Sequence, residues 1–301
     1  MLRKRFGQSK YVRSGRVFSC GCLAALLPTL IGVAKADPAM WIIRGNDSTT
    51  YLVGTIHLLR RQAEWKNDKL SKAVQDSTDL WLEVGDPDNQ AGIIPLLQKY
   101  GYDREKPLSS HLNTEQQEKL RKVEEKYNVP PAMLEPMRPW LAALMLAVLP
   151  LQKAGFEPNA GVDHLLKQQA SKEGDKVRGF ETQEEQVRFL AELPEADQIA
   201  FLNDTLDDVS EGIALFEKLA AAWLKGDSKT ISDVLVDEVK AKAPSIYQKL
   251  LVDRNIRWAD RIAELNHTKG VRVVAVGAGH LVGPDSVQVQ LEKKGIKAEP
   301  Y

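Results

Sequence analysis

Cysteine is nearly absent. The 301-residue chain has two, Cys20 and Cys22, both close to the N-terminus. Beyond them it can form no disulfide, offers no cysteine nucleophile and has no thiolate for a metal, so any metal must be held by His, Asp, Glu or water. Long apolar runs are scarce too. Trp140 to Leu149 is ten residues without a charge, too short to cross a bilayer, and it reads as a buried helix. No Gly-x-Ser-x-Gly elbow, His-Glu-x-x-His, Walker loop or EF-hand pattern occurs, which argues against a serine hydrolase or an ordinary zincin. An excess of positive charge is also missing. The full chain balances 41 basic against 41 acidic residues.

The N-terminal segment hides an acidic body. Arg3, Lys4, Arg5, Lys10, Arg13 and Arg16 form a basic region, Val17 to Val33 is mostly apolar, and Ala34-Lys35-Ala36 is a small-x-small cleavage signal. This predicts a secretory signal peptide over residues 1–36, cleavage near Ala36 and a periplasmic or secreted protein. Membrane attachment is expected only through that segment if it is left uncleaved. Its removal leaves 34 basic against 41 acidic residues, a net charge of −7. Nucleic acid needs a basic footprint and is excluded as a partner. Residues 37–301 suit one large domain, with a helical insertion expected over about 100–265.

A short phrase is written twice. Residues 53–58 read Val-Gly-Thr-Ile-His-Leu and residues 276–281 read Val-Gly-Ala-Gly-His-Leu. Each follows an apolar, β-prone run. Strands are predicted at 40–44, 50–53, 79–84, 176–180, 271–276 and 296–299, and helices at 67–76, 114–127, 139–151, 160–171, 195–225 and 244–267. Thr114-x-x-Gln and Thr182-x-x-Glu185 read as capping boxes. Gly283-Pro284 is expected to open a helix. Strands at both ends with helices between them give an α/β fold with a central mixed or parallel sheet.

His57 and His280, each three residues past a glycine, would meet at the carboxyl ends of strands, where open α/β sheets place their sites. They are candidate metal ligands through neutral imidazole; the structural alternative is two histidines hydrogen-bonded at strand ends. A catalytic metal wants a third protein ligand. Glu83 ends the apolar strand Leu80-Trp81-Leu82-Glu83-Val84, where an unpaired carboxylate is costly to bury. Glu181 follows the strand at 176–180 and could bind metal or act as general base. Arg254 interrupts the apolar stripe Tyr247, Leu251, Trp258, Ile262, Leu265, so its guanidinium must meet Glu83, Glu181 or a developing oxyanion. Arg261, near the same face, competes for that role. His111, His164 and His267 are weaker candidates.

These residues together resemble the TraB/PrgY/GumN family, related to the Tiki metalloproteases and more distantly to the EreA and ChaN-like folds. The resemblance rests on Gly54-Thr-Ile-His57, Gly277-Ala-Gly-His280, Leu-Trp-Leu-Glu83-Val, Gly161-Val-Asp163, Gly179-Phe-Glu181-Thr-x-Glu-Glu-Gln186 and Arg254-Asn255-x-x-Trp258-Ala259. It implies an EreA/ChaN-like α/β fold with a large helical insertion. It also implies a divalent metal (Zn, Mn or Co) on His57, His280 and Glu83, with Glu181 and Arg254 beside it. The function expected is metal-dependent hydrolysis of a peptide or protein. A non-catalytic protein that binds peptide or haem in the same cleft, or metal-free hydrolysis with a histidine base as in EreA-like relatives, are the alternatives.

Overall fold

A computed structural model describes residues 36–301 apart from Ser210. The signal segment, except Ala36, and both cysteines lie outside the described residues.

Strands β1 (Met40–Arg44) and β2 (Ser48–Thr55) form a hairpin. β3 (Leu59–Arg60), α1 (Asp68–Asp76) and β4 (Asp79–Val84) follow. A long helical passage comes next: α2 (Gln90–Gly101), α3 (Thr114–Tyr127), α4 (Pro131–Leu134) and α5 (Pro139–Lys153). Then come β5 (Phe156–Glu157), which pairs with β3, α6 (Val162–Glu173) and β6 (Lys176–Glu181). A second helical passage holds α7 (Gln183–Ala191), α8 (Glu195–Asp208), α9 (Gly212–Leu224), α10 (Ser228–Ser232), α11 (Glu238–Lys242), α12 (Pro244–Tyr247) and α13 (Asp253–Asn266). The chain closes with β7 (Gly270–Gly277), α14 (Val287–Glu292) and β8 (Glu299–Pro300).

The main sheet has six strands in the order β6-β4-β7-β2-β1-β8. The four strands β6, β4, β7 and β2 are parallel, and β1 and β8 add an antiparallel edge. The protein is therefore α/β with a mixed sheet. Both faces are covered, which is why the inner strands read as continuous apolar runs. On one face Leu52, Trp81, Val274 and Val276 pack against Trp258 and Ile262 of α13 and Leu291 of α14. On the other, Val53, Leu82, Val273 and Ala275 meet Leu70 of α1, Leu166 of α6 and Trp223 of α9. A separate core around Trp140, Leu146, Leu202 and Leu206 ties α5 to α8. It buries the apolar run of α5, leaving Leu144 exposed. Strand β6 lies inside the expected insertion yet belongs to the main sheet, so the helices form two excursions on either side of it. Among the described residues, no helix is long and apolar enough to cross a membrane.

Several expected boundaries move, each for a local reason. The capping box of α3 is made by Asn113 and Gln116, one residue before Thr114, because Asn113 is the residue with extended backbone just ahead of the helix. The helix expected over 195–225 is broken between Asp208 and Gly212. Pro284 does not open a helix. Gly283 has φ +79°, and the helix starts three residues on, capped by Ser286. The last strand is Glu299–Pro300 rather than 296–299.

Candidate active site at the strand ends

The two copies of the repeated phrase end adjacent parallel strands. Gly54 pairs with Val276 and Thr55 with Gly277, so the copies lie one residue out of register. Gly54 makes no turn; it sits within β2. Gly277 ends β7, and its missing side chain matters for another reason. A Cβ there would stand 3.0 Å from Glu83 Oε1. Its backbone N–H instead donates to that oxygen at 2.8 Å. His280 follows in the helical turn Ala278–Leu281. On the other strand, Val162 N donates to Ile56 O at 3.0 Å. A Cβ on Gly161 would fall 2.4 Å from His57 O, so only glycine lets α6 dock this close. Asp163, on the first turn of that helix, then reaches His57 Nδ1 at 3.1 Å. The approach is too oblique for a well-formed hydrogen bond, and Asp163 Oδ1 has no other partner.

The five residues singled out from sequence come together here. His57 Nε2 lies 4.0 Å and His280 Nε2 3.8 Å from Glu83 Oε1. Glu83 Oε2 accepts from Arg254 Nη2 at 2.6 Å and from Gln186 Nε2 at 3.2 Å. Glu181 sits behind them with a nearly buried side chain. One of its oxygens accepts from Arg254 Nε, Arg257 Nη2 and Trp258 Nε1, and the other from Arg254 Nε and Nη2 and Gln186 Nε2. Arg254 also donates through Nη1 to Leu250 O at 3.1 Å and to His280 Nε2 at 3.2 Å. All of its N–H groups are engaged. The carbonyl of Leu250 belongs to a π-helical turn, Gln248–Val252, just ahead of α13, a local form often found beside functional groups. Arg261 stays outside, exposed and paired with Glu264. His111 and His164 pair with Glu195 and Asp88, and His267 caps α13.

The TraB/PrgY/gumN family model matches residues 39–300. The chain belongs to the TraB/PrgY/gumN family. An uncharacterized protein of Treponema pallidum (strain Nichols) is 22% identical over 284 residues, which cover 90% of this chain and 84% of the relative. No solved structure matches.

In this TraB/PrgY/gumN chain the hydrogen bonds set the tautomers. Asn255 Nδ2 donates to Asp285 O, so its Oδ1 accepts from His280 Nδ1, at 2.6 Å. His280 Nε2 therefore turns a lone pair toward Glu83. Burial, aided by the Arg254 and His57 charges, outweighs the attraction of Glu83 and pushes His280 down to about 3; the ring is neutral at pH 7. His57 goes the other way. Burial opposes its charge, but Asp163 and then Glu83 outweigh burial and Arg254, lifting it to about 9. Burial also opposes the charge of Glu83, yet Arg254, His280, His57 and the Gly277 N–H hold it well below the usual carboxylate range. Replacing Asp163 by Asn is expected to lower the His57 titration by more than one pH unit in an NMR pH series, with His280 still neutral. An unchanged His57 would remove Asp163 from this account.

Donor type and orientation fit a divalent cation. Two donors ~2.1 Å from one ion at a tetrahedral angle stand ~3.4 Å apart, only tenths of an ångström inside the observed spacings. Among the described residues no group of three His, Cys, Asp or Glu is already drawn up to hold a metal. Closing it would require Arg254 Nη1 to leave His280 Nε2. His57, Glu83, Asp163 and Gln186 line a cavity of about 220 Å³, with Pro87 at its side. His280, Arg254 and Glu181 stand behind Glu83, away from it. Asp163 and Asn255 are the functional candidates to which no role was given from sequence. The signals were a first-turn acid directly after a glycine and a polar residue beside Arg254 that proves fully buried.

Proposed function

We propose that this chain is an exported, divalent-metal-dependent hydrolase acting on peptide bonds. The observation that carries the reading is the facing of His57 Nε2 and His280 Nε2 toward one oxygen of Glu83, with the far nitrogen of each ring beside Asp163 or Asn255. His57, His280 and Glu83 would hold the metal, and Zn, Mn or Co suits such N/O donors. When bound, it would polarise the scissile carbonyl and lower the pKa of its water. The surroundings of Glu181 and Arg254 recast their expected roles. The oxygens of Glu181 are fully engaged, and Arg254 has no free N–H for an oxyanion. Both act as positioning residues that fix Glu83 and His280. Asp163, which faces the cavity, takes the proton of the attacking water.

A second reading has its own support. Arg254 Nη1 already occupies His280 Nε2, and His57 with Asp163 at its back could serve as the base without a metal. Elemental analysis separates the two. Purified without chelator, the protein is expected to carry one equivalent of metal, absent from a folded His57→Ala/His280→Ala variant. A peptide library should then be cleaved only with that metal present, and Asp163→Asn should keep the metal but lose turnover. A protein that takes up no Zn, Mn or Co and cleaves equally well in chelator would establish the metal-free reading instead. Export is tested by sequencing the N-terminus of the protein recovered outside the cytoplasm; a start at Asp37 is expected.

A further inference from the structure

A second cavity, of about 430 Å³, opens among α5, α8, α9, α11 and α12. It shares none of the site's side chains. Its size falls in the ~300–1,000 Å³ range of small-molecule pockets. Its walls are apolar, with Phe201, Ile213 and Ile246 prominent, and it carries a few polar groups of one predominant sign. Asp204, Asp208 and Glu238 are set against a single cation, Lys242. Lys242 is already held by Glu238 at 2.8 Å and by Asp208 at 3.3 Å. Asp204 is different. It is half-buried, and among the described residues it makes no hydrogen bond or ion pair. Burial pushes its carboxyl up, with Lys242 only partly opposing. A carboxylate in a partly dry, apolar enclosure gains most from a cation that brings its own N–H donors.

We propose that this cavity binds a cationic amphiphile, with an alkyl chain against Phe201, Ile213 and Ile246 and an ammonium group on Asp204. The apolar walls select the chain and the excess negative charge selects the head group. A fatty acid would meet Asp204 and Asp208 with like charge, and an alcohol would leave Asp204 uncompensated. The binding does not depend on the metal reading of the strand-end site.

The test is titration calorimetry with decylamine, decanol and decanoate, each kept below the concentration at which it forms micelles. Wild type is expected to bind one decylamine saturably, more tightly than decanol, and decanoate least. Asp204→Asn should weaken decylamine by about tenfold, the loss of one charge-assisted contact, and leave decanol unchanged. Ala147→Phe, at an exposed position on the rim, should weaken both by obstructing the cavity; thermal melts confirm that each variant is folded. The His57→Ala/His280→Ala variant should bind decylamine as wild type does, so a failed metal reading leaves this result standing. No saturable binding, decanoate binding as tight as decylamine, or an Asp204→Asn variant indistinguishable from wild type would each overturn the proposal.

Discussion

Replacing Arg254 by leucine is expected to destabilise the protein by ~3–5 kcal/mol, the range for removing one partner of a buried ion pair. The guanidinium is 7% exposed and stands between two carboxylates, Glu181 and Glu83. Without it Glu181 keeps only Arg257, Trp258 and Gln186, and Glu83 keeps Gln186 and the Gly277 N–H. Two acids are then left in a poorly solvated site, each costly to keep charged. The exposed pair Arg121–Glu118 makes the comparison. Arg121→Leu should cost less than ~1 kcal/mol. Urea unfolding measures both. A loss for Arg254→Leu no larger than that for Arg121→Leu would mean that the buried network contributes nothing beyond a surface pair. Adding Glu181→Leu to Arg254→Leu should recover part of the loss, because one of the stranded charges is gone.

Metal affinity is expected to climb about tenfold per pH unit between pH 7 and about 9, then level off. His57 is lifted to about 9, so at pH 7 its Nε2 carries a proton that must leave before the nitrogen can act as a ligand. His280, held at about 3, adds no such dependence near neutrality. Calorimetry in buffers of different ionisation enthalpy should show close to one proton released per metal at pH 7. In Asp163→Asn the break should move to lower pH. A pH-independent affinity from 7 to 9 would contradict both the state of His57 and its place as ligand. The linkage to stability runs in the opposite direction. His57 titrates above its ordinary value of 6.5, so in the metal-free protein its contribution to stability is complete below 6.5 and is lost as pH rises through about 9.

Much of the site was legible because its parts are local patterns. A strand ending in Gly-x-x-His, a glutamate closing an apolar strand and an arginine inside an apolar helical stripe each show in a few neighbouring residues. Parallel strands then carry such residues to one edge of the sheet. The roles were less legible, because a role depends on which donor reaches which acceptor. Glu181 has the sequence context of a general base and the surroundings of an anchor. Asp163 has the context of an ordinary first-turn helix acid, yet it faces His57 because Gly161 lets α6 press against the loop. In the fold, strong periodicity placed the strands within a residue or two. The break after Asp208 escaped because the apolar pattern continues across it, and Pro284 misled because its fixed φ serves a turn as readily as a helix start.

The π-helical turn ahead of Arg254 amounts to one residue more than an ordinary helix would hold between Tyr247 and Asp253. Viewed as a reading frame, it sets the phase of everything after it. Each α-helical residue advances the side chains by about 100°. Deleting Lys249 would let the segment close as plain α-helix and turn Arg254, Asn255 and Trp258 together, relative to the turns upstream. The whole triplet that serves Glu83, Glu181 and His280 would lose its aim through a change that touches none of its members.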